Sequence, residues 1–195
     1  MHSFFAMISR MKYIDRWALM RNSRKENISE HSHEVALLAH ALAVIGRRRL
    51  GKDLSAERAA LLGLYHDSTE IITGDLPTPV KYHDESLREA YRHIEDKAAQ
   101  SLLRRLPEDM RPDYESLFLP REEDAYLLLL VKAADKLSAL IKCKEEAKAG
   151  NREFLHAEAS IRSNLEQMQL PELEIFMEEF WEAYSLSLDE LGDSL

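Results

Sequence analysis

Residues 60–79 read ALLGLYHDSTEIITGDLPTP, and the interpretation of this stretch decides the fold. Upstream, Ser55 is a good N-cap for a helix that carries apolar Ala59, Leu62 and Gly63 up to His66. The stripe then gives way abruptly to His66-Asp67, two side chains that prefer water, a metal or each other. The segment from 73 to 82 is too rich in Gly and Pro to be helical and reads as a loop. A helix that ends on a polar pair beside a Pro-bounded loop belongs to an α-helical scaffold that presents a site at its helix ends.

The same period extends outward in both directions. No alternating strand pattern bounded by hairpin turns occurs, so the expected class is all-α. Helices are expected over residues 3–13, from an N-cap at Ser29 to about 48, from a cap at Asp84 to about 105, over 122–148, from a cap at Asn151 to about 169, and from Pro171 to about 184. Residues 15–28 and 107–120 read as irregular, the latter with a helical turn. Gly150 suits the end of the long helix. With 195 residues and 45% hydrophobic composition, one compact domain spanning 1–195 is expected. Its core would lie at about 25–148, with C-terminal helices at about 151–185 packed on it.

The formal charge of -9 opposes binding to a nucleic-acid polymer, whose affinity comes mainly from clustered Lys and Arg. The single Cys143 cannot form an internal disulfide, which suits a reducing, cytoplasmic setting. The N-terminal apolar run is too short for a signal-peptide core. No segment approaches the roughly 20 apolar residues of a membrane span, so a soluble protein without a membrane partner is expected.

Two positions join His66-Asp67 as anomalies. At about 100° per residue, His31 shares a face with Val35, Leu38, Leu42 and Ile45, whereas His33 points nearly the opposite way with His40. Asp135 shares a face with Leu128, Val131, Ser138 and Ala139, and a buried carboxylate needs a partner. Taken singly, each has an ordinary explanation. His66 suits a helix C-terminus, His31 a hydrogen-bonded core position, and Asp135 an ion pair with Lys132 or Lys142. Asp67 has the wrong sign for its end of the dipole. Two inward histidines and two carboxylates on three helices together supply the N and O ligands that suit a divalent transition metal, with positions left for water and substrate.

The order His31, His66-Asp67, Asp135 resembles the H…HD…D signature of HD-domain metal-dependent phosphohydrolases. The flanking text is more specific: DRWALMRN (15–22), ENISEHS (26–32), YHDSTEIITGDLPTPVKY (65–82) and KAADKLSALIKCKEE (132–146). These blocks resemble bacterial HD-domain 5'-deoxynucleotidases across nearly the whole chain. The match is mainly one of helical layout over 84–120 and at the C-terminus. The resemblance implies a compact HD-domain helical bundle and removal of phosphate from deoxyribonucleoside 5'-monophosphates. It also implies one divalent cation, Co²⁺, Mn²⁺ or similar, held by His31, His66, Asp67 and Asp135.

It further implies roles that local sequence does not. Glu70, three residues after Asp67 and on its face if the helix continues, would orient the water or handle the leaving-group proton; otherwise it is a surface glutamate. Asp75 would sit at the active site and contact substrate or water; otherwise it is an Asx-turn residue. Arg16 would grip phosphate with its bidentate fork, and Trp17 would help exclude a ribose 2'-hydroxyl; otherwise the two are a core tryptophan and its salt-bridged neighbour. Lys81 would add a phosphate contact, although lysines after loops are commonly unspecific. A homodimer is implied as well, with 173–188, LEIFMEEFWEAYSLSL, as the interface candidate and core packing as its alternative.

Other readings stay open at this point. Glu30-x-x-His33 and Glu153-x-x-His156 fit the spacing of di-iron carboxylate bundles, but Glu30 falls in a first helical turn and His33 faces away from the apolar stripe. A non-catalytic adaptor on the same scaffold, and an HD enzyme acting on dNTPs or cyclic nucleotides, are further alternatives.

Overall fold

The computed structural model describes residues 1–77 and 84–192, and among these the structure is helical, with one isolated antiparallel bridge, Asp15 to Asn27, as its only β feature. The helices are α1 (Phe4–Ile8), α2 (Ile28–Arg49), α3 (Ala56–Tyr65), α4 (Glu70–Thr73), α5 (Glu85–Leu103), α6 (Arg111–Phe118), α7 (Ala125–Lys148), α8 (Leu155–Gln167), α9 (Pro171–Glu179) and α10 (Leu188–Gly192). None is long and apolar enough to cross a membrane.

The all-α expectation holds, and most departures lie at helix ends. Asn27, not Ser29, caps α2: its extended backbone lets Oδ1 accept from the amides of Ser29 and Glu30, 3.0 and 3.1 Å away. The bridge forces that conformation, because Ile28 N donates to Ile14 O and Arg16 N to Glu26 O. The first helix is shorter than expected and continues as a 3-10 turn over Ser9–Tyr13. Residues 107–120, read as irregular, contain α6 with Pro in its first turn. The helices beginning near 122 and 151 open with 3-10 turns, Glu122–Asp124 and Arg152–Phe154, and the last expected helix ends at Glu179 before a 3-10 turn at Trp181–Ser185. Ser55, Asp84 and Asn151 cap as expected.

Packing centres on α2, α3 and α7, which contact one another pairwise. Val35, Leu38, Leu42, Leu62, Leu130, Ala134, Leu137 and Leu140 form their shared core, and α8 and α9 add Leu165, Leu173 and Phe176. Burial of this apolar area is the main stabilising term. Gly63 permits the close approach of α3 to α2, since a Cβ there would lie 3.0 Å from Ala36 Cα and 3.1 Å from its amide nitrogen. That approach sets His66 beside His31. A bidentate pair from Arg58 to Asp124, 2.9 and 2.7 Å, ties α3 to the start of α7. The expected C-terminal interface stretch divides: Leu173, Phe176 and Trp181 are buried, while Phe180, Leu186 and Leu188 are exposed.

Candidate metal centre and substrate cleft

Four side chains converge where α2, the end of α3 and α7 meet. His31 is fully buried; the side chains of His66, Asp67 and Asp135 are 16%, 21% and 37% exposed, so the cluster opens toward solvent on the carboxylate side. His31 Nε2 lies 3.1 Å from Asp135 Oδ1 and 3.5 Å from Asp67 Oδ2. His66 Nε2 lies 3.1 Å from Asp67 Oδ2. Ligand atoms of His31, His66 and Asp67 all fall within 4.8 Å of one another, and Asp135 abuts this group through His31. The expected helical-face orientations hold, with His31 buried and His33 exposed.

The tautomer of His66 tests whether these residues fit a cation. Its Nδ1 sits 2.7 Å from the Gly63 carbonyl, to which it donates. One proton therefore lies on Nδ1, and the buried Nε2 faces the carboxylates, 3.1 Å from Asp67 Oδ2. Burial disfavours a charged His66, yet Asp67 and Asp135 outweigh it and push its pKa up to about 9. Burial likewise opposes charge on Asp67, but His66, His31 and Arg16 hold that carboxyl below its usual range. Burial and the Arg16 guanidinium keep His31 below its ordinary value. Asp67 and Asp135 thus draw positive charge into the space beside the two rings, either a second proton on His66 or a cation that displaces it. The N₂O₂ donor set fits a divalent transition metal.

Behind His31 runs a second line of polar groups. Nδ1 lies 3.0 Å from Ser138 Oγ, which donates to Glu34 Oε2 at 2.5 Å. Burial raises the Glu34 carboxyl. From sequence alone, Ser138 is only a small residue on the Asp135 face.

Arg16 reaches the cluster on the irregular segment before α2, with Trp17 next to it. Arg16 Nη1 lies 2.6 Å from His31 Nδ1 and 3.2 Å from Glu26 Oε2, and Nη2 lies 3.9 Å from Asp135 Oδ1. Asp135 therefore faces His31 and Arg16, whereas Lys142, one partner suggested by sequence, pairs with Glu146 instead. Trp17 adopts φ +57°, a left-handed conformation that costs a bulky L-residue roughly 1–3 kcal/mol and persists only when its surroundings over-determine it. Those surroundings include a hydrogen bond from Nε1 to Glu26 Oε2 (3.0 Å), the Phe154 ring at 5.3 Å, and Trp17 O accepting from Met20 N and Asn22 Nδ2.

The far end of this segment is latched to α7. Glu146 is buried and accepts from Ser23 N (2.9 Å), Asn151 Nδ2 (2.7 Å) and Lys142 Nζ, while Lys142 also donates to Arg24 O. Despite burial, these donors hold the Glu146 carboxyl at about 2. Sequence reading missed Glu26, Glu34, Ser138 and Glu146 as site-supporting residues.

Of the remaining candidates, Glu70 opens α4 after a turn at 66–69, is buried, and its amide donates to Asp67 O (3.0 Å). Asp75 follows Gly74, whose φ of +73° turns the chain, and its charge contributes to the field on Arg16. Lys81 lies outside the described residues. Among the described residues neither Glu-x-x-His pair joins the metal-type cluster, and His33 and His156 are exposed. Burial pushes the Cys143 thiol up to about 12, which leaves it inert. An apolar hollow of about 380 Å³, lined by Leu140, Leu165, Leu170, Leu173 and Met177 among others, shares no residue with the cluster.

Comparison with known proteins places this geometry in context. The family model for YfbR-like 5'-deoxynucleotidases matches residues 3–184. Proteins named 5'-deoxynucleotidase from Yersinia pseudotuberculosis serotype I and Yersinia pestis are each 50% identical over 200 residues, covering 100% of both chains. Among solved structures, an HD-domain phosphohydrolase from Listeria innocua superposes with a TM-score of 0.77 at 22% identity, covering 93% of this chain and 88% of the other. A cyanophage S-2L HD phosphohydrolase, bound to dA and one catalytic Zn²⁺ ion, superposes with a TM-score of 0.62 at 19% identity, covering 92% and 95%. At these identities the two structures speak for a shared fold.

Proposed function

This chain belongs to the YfbR-like 5'-deoxynucleotidase family, and we propose that it removes the phosphate of deoxyribonucleoside 5'-monophosphates at a centre formed by His31, His66, Asp67 and Asp135. It is a phosphoric monoester hydrolase. The observation that carries the site assignment is the buried Nε2 of His66 facing Asp67, with His31 Nε2 and Asp135 beside it.

One divalent cation fits these four side chains and, when bound, supplies a Lewis acid for phosphate oxygens and a lowered pKa for water. The chain's own residues do the rest. His66 is held by Gly63 O with its ligating nitrogen exposed to the site. Arg16 projects Nη2 toward Asp135, where the fork can hold a phosphate whose ester oxygen leaves in line with the attacking water. Glu70, one turn beyond Asp67, handles a proton of the attacking water or the leaving 5' oxygen. Asp75 contacts substrate or water next to Arg16. Trp17 presents its ring to the sugar, where a 2'-hydroxyl would not fit, and Lys81 adds a phosphate contact.

Co²⁺ and Mn²⁺ suit this donor set, as do neighbouring transition ions. A homodimer is part of the same reading, with exposed Phe180, Leu186 and Leu188 as apolar surface for it. One domain over 1–195 is also inferred. The functional test is phosphate release from ribo- and deoxyribonucleoside 5'-monophosphates with Mn²⁺ or Co²⁺ and with chelator. Metal-dependent release favouring the deoxy members is expected. No release from any member by protein with bound metal would leave the adaptor reading.

A further inference from the structure

Two substrate-facing residues share one anchor. Glu26 engages Arg16 twice, its carbonyl accepting from Arg16 N at 2.9 Å and its Oε2 from Nη1 at 3.2 Å. The same Oε2 accepts from Trp17 Nε1 at 3.0 Å. The side chains of Arg16 and Glu26 are both only 13% exposed, so this contact is shielded from competing water and salt. The indole has a single donor, and Glu26 occupies it. What Trp17 can offer a ligand is therefore its ring surface and shape, not a hydrogen bond. Arg16 has five N–H donors in a fixed fork, so the bond to Glu26 leaves others free and fixes the plane in which they lie.

We propose that Glu26 is a positioning residue for substrate recognition: one carboxylate oxygen sets both the plane of the Arg16 fork and the orientation of the Trp17 ring, and thereby couples phosphate grip to sugar discrimination. Glu26 need not touch the substrate. This rests on the reading of Arg16 and Trp17 as substrate contacts. The left-handed backbone of Trp17 shows why an anchor is required, since nothing intrinsic to that residue favours the conformation. The short bridge between Asp15 and Asn27 brings the anchor alongside.

The test is steady-state phosphate release by the Mn²⁺-loaded full chain on matched deoxy- and ribonucleoside 5'-monophosphates. Glu26→Ala, Glu26→Gln, Arg16→Ala, Trp17→Ala and the Glu26→Ala/Trp17→Ala double variant are compared, with Mn²⁺ affinity measured by calorimetry. For Glu26→Ala, KM is expected to rise about tenfold or more and the deoxy-to-ribo ratio of kcat/KM to fall toward that of Trp17→Ala. Glu26→Gln keeps an oxygen for Trp17 Nε1 and is expected to retain the ratio while raising KM. In the double variant the ratio is expected to match Trp17→Ala alone, the non-additivity of residues acting as one unit.

A Glu26→Ala that loses thermal stability or kcat with KM and ratio unchanged overturns the proposal. Additive losses in the double variant do so equally. If Glu26→Ala fails to fold, Glu26→Gln decides, since unchanged KM there is also contradictory. Arg16→Ala and Trp17→Ala without effect on KM or ratio would remove the underlying reading as well, an outcome distinct from failure of Glu26 alone.

Discussion

His66 Nε2 and Asp67 Oδ2 lie 3.1 Å apart, and because the Nδ1 proton is committed to Gly63 O on the opposite side of the ring, Nε2 is the atom left to face the carboxylate. A cation between nitrogen and carboxylate resolves that contact. Saturating Mn²⁺ is therefore predicted to stabilise the fold: at a thousandfold excess over Kd, linkage gives about 4 kcal/mol. Thermal unfolding with and without chelator measures it, and His66→Gln is expected to abolish the difference. A midpoint unmoved by metal in the wild type would remove the site.

Ser138 lies behind a candidate ligand. Its hydroxyl lies 3.0 Å from His31 Nδ1 and donates to Glu34. Outer partners of metal-bound histidines are worth about 10- to 100-fold in affinity or activity. Ser138→Ala is predicted to weaken Mn²⁺ binding by about tenfold or more, read by calorimetry. Unchanged affinity would make Ser138 mere packing.

Glu70→Gln separates chemistry from coordination. The residue starts α4, and its amide bond to Asp67 O keeps it next to the cluster without belonging to the three-residue ligand group. Metal is predicted to stay bound while kcat falls about 100-fold or more, the span of general acid–base catalysis. Equal loss of metal would move Glu70 into the ligand set.

Glu146 predicts a pH signature. Its carboxyl is held at about 2 against an ordinary 4.5, so its stabilising contribution is complete above 4.5 and is lost as pH falls from 4.5 toward 2. Wild-type stability should decline over that window more steeply than that of Glu146→Gln. At neutral pH the variant should be less stable by about 3 kcal/mol, because Lys142 is left buried without its ion partner. Denaturant unfolding at several pH values checks both. Parallel pH profiles would contradict the latch.

Much of this was legible from local pattern. The 100° rule separated His31 from His33 because α2 is regular through both, and the break in the stripe at His66-Asp67 marked a helix end that the structure keeps. Helix starts were less legible where two good caps compete. Asn27 wins over Ser29 because the distant Ile14 and Asp15 hold it extended, and no local window contains that constraint. The supporting shell was invisible for the same reason. Ser138 meets Glu34 across 104 positions and Glu146 meets Ser23 across 123, so each read as an ordinary helix residue. The family resemblance named Arg16 and Trp17; only coordinates showed that Glu26 joins them.

Calorimetric titration of metal-stripped protein with Mn²⁺, run on the wild type, His31→Ala and His33→Ala, tests the central claim most directly. One ion per chain is predicted for the wild type and for His33→Ala, with affinity lost in His31→Ala. Two ions per chain, or loss in His33→Ala with His31→Ala unaffected, would contradict a mononuclear centre built on His31, His66, Asp67 and Asp135.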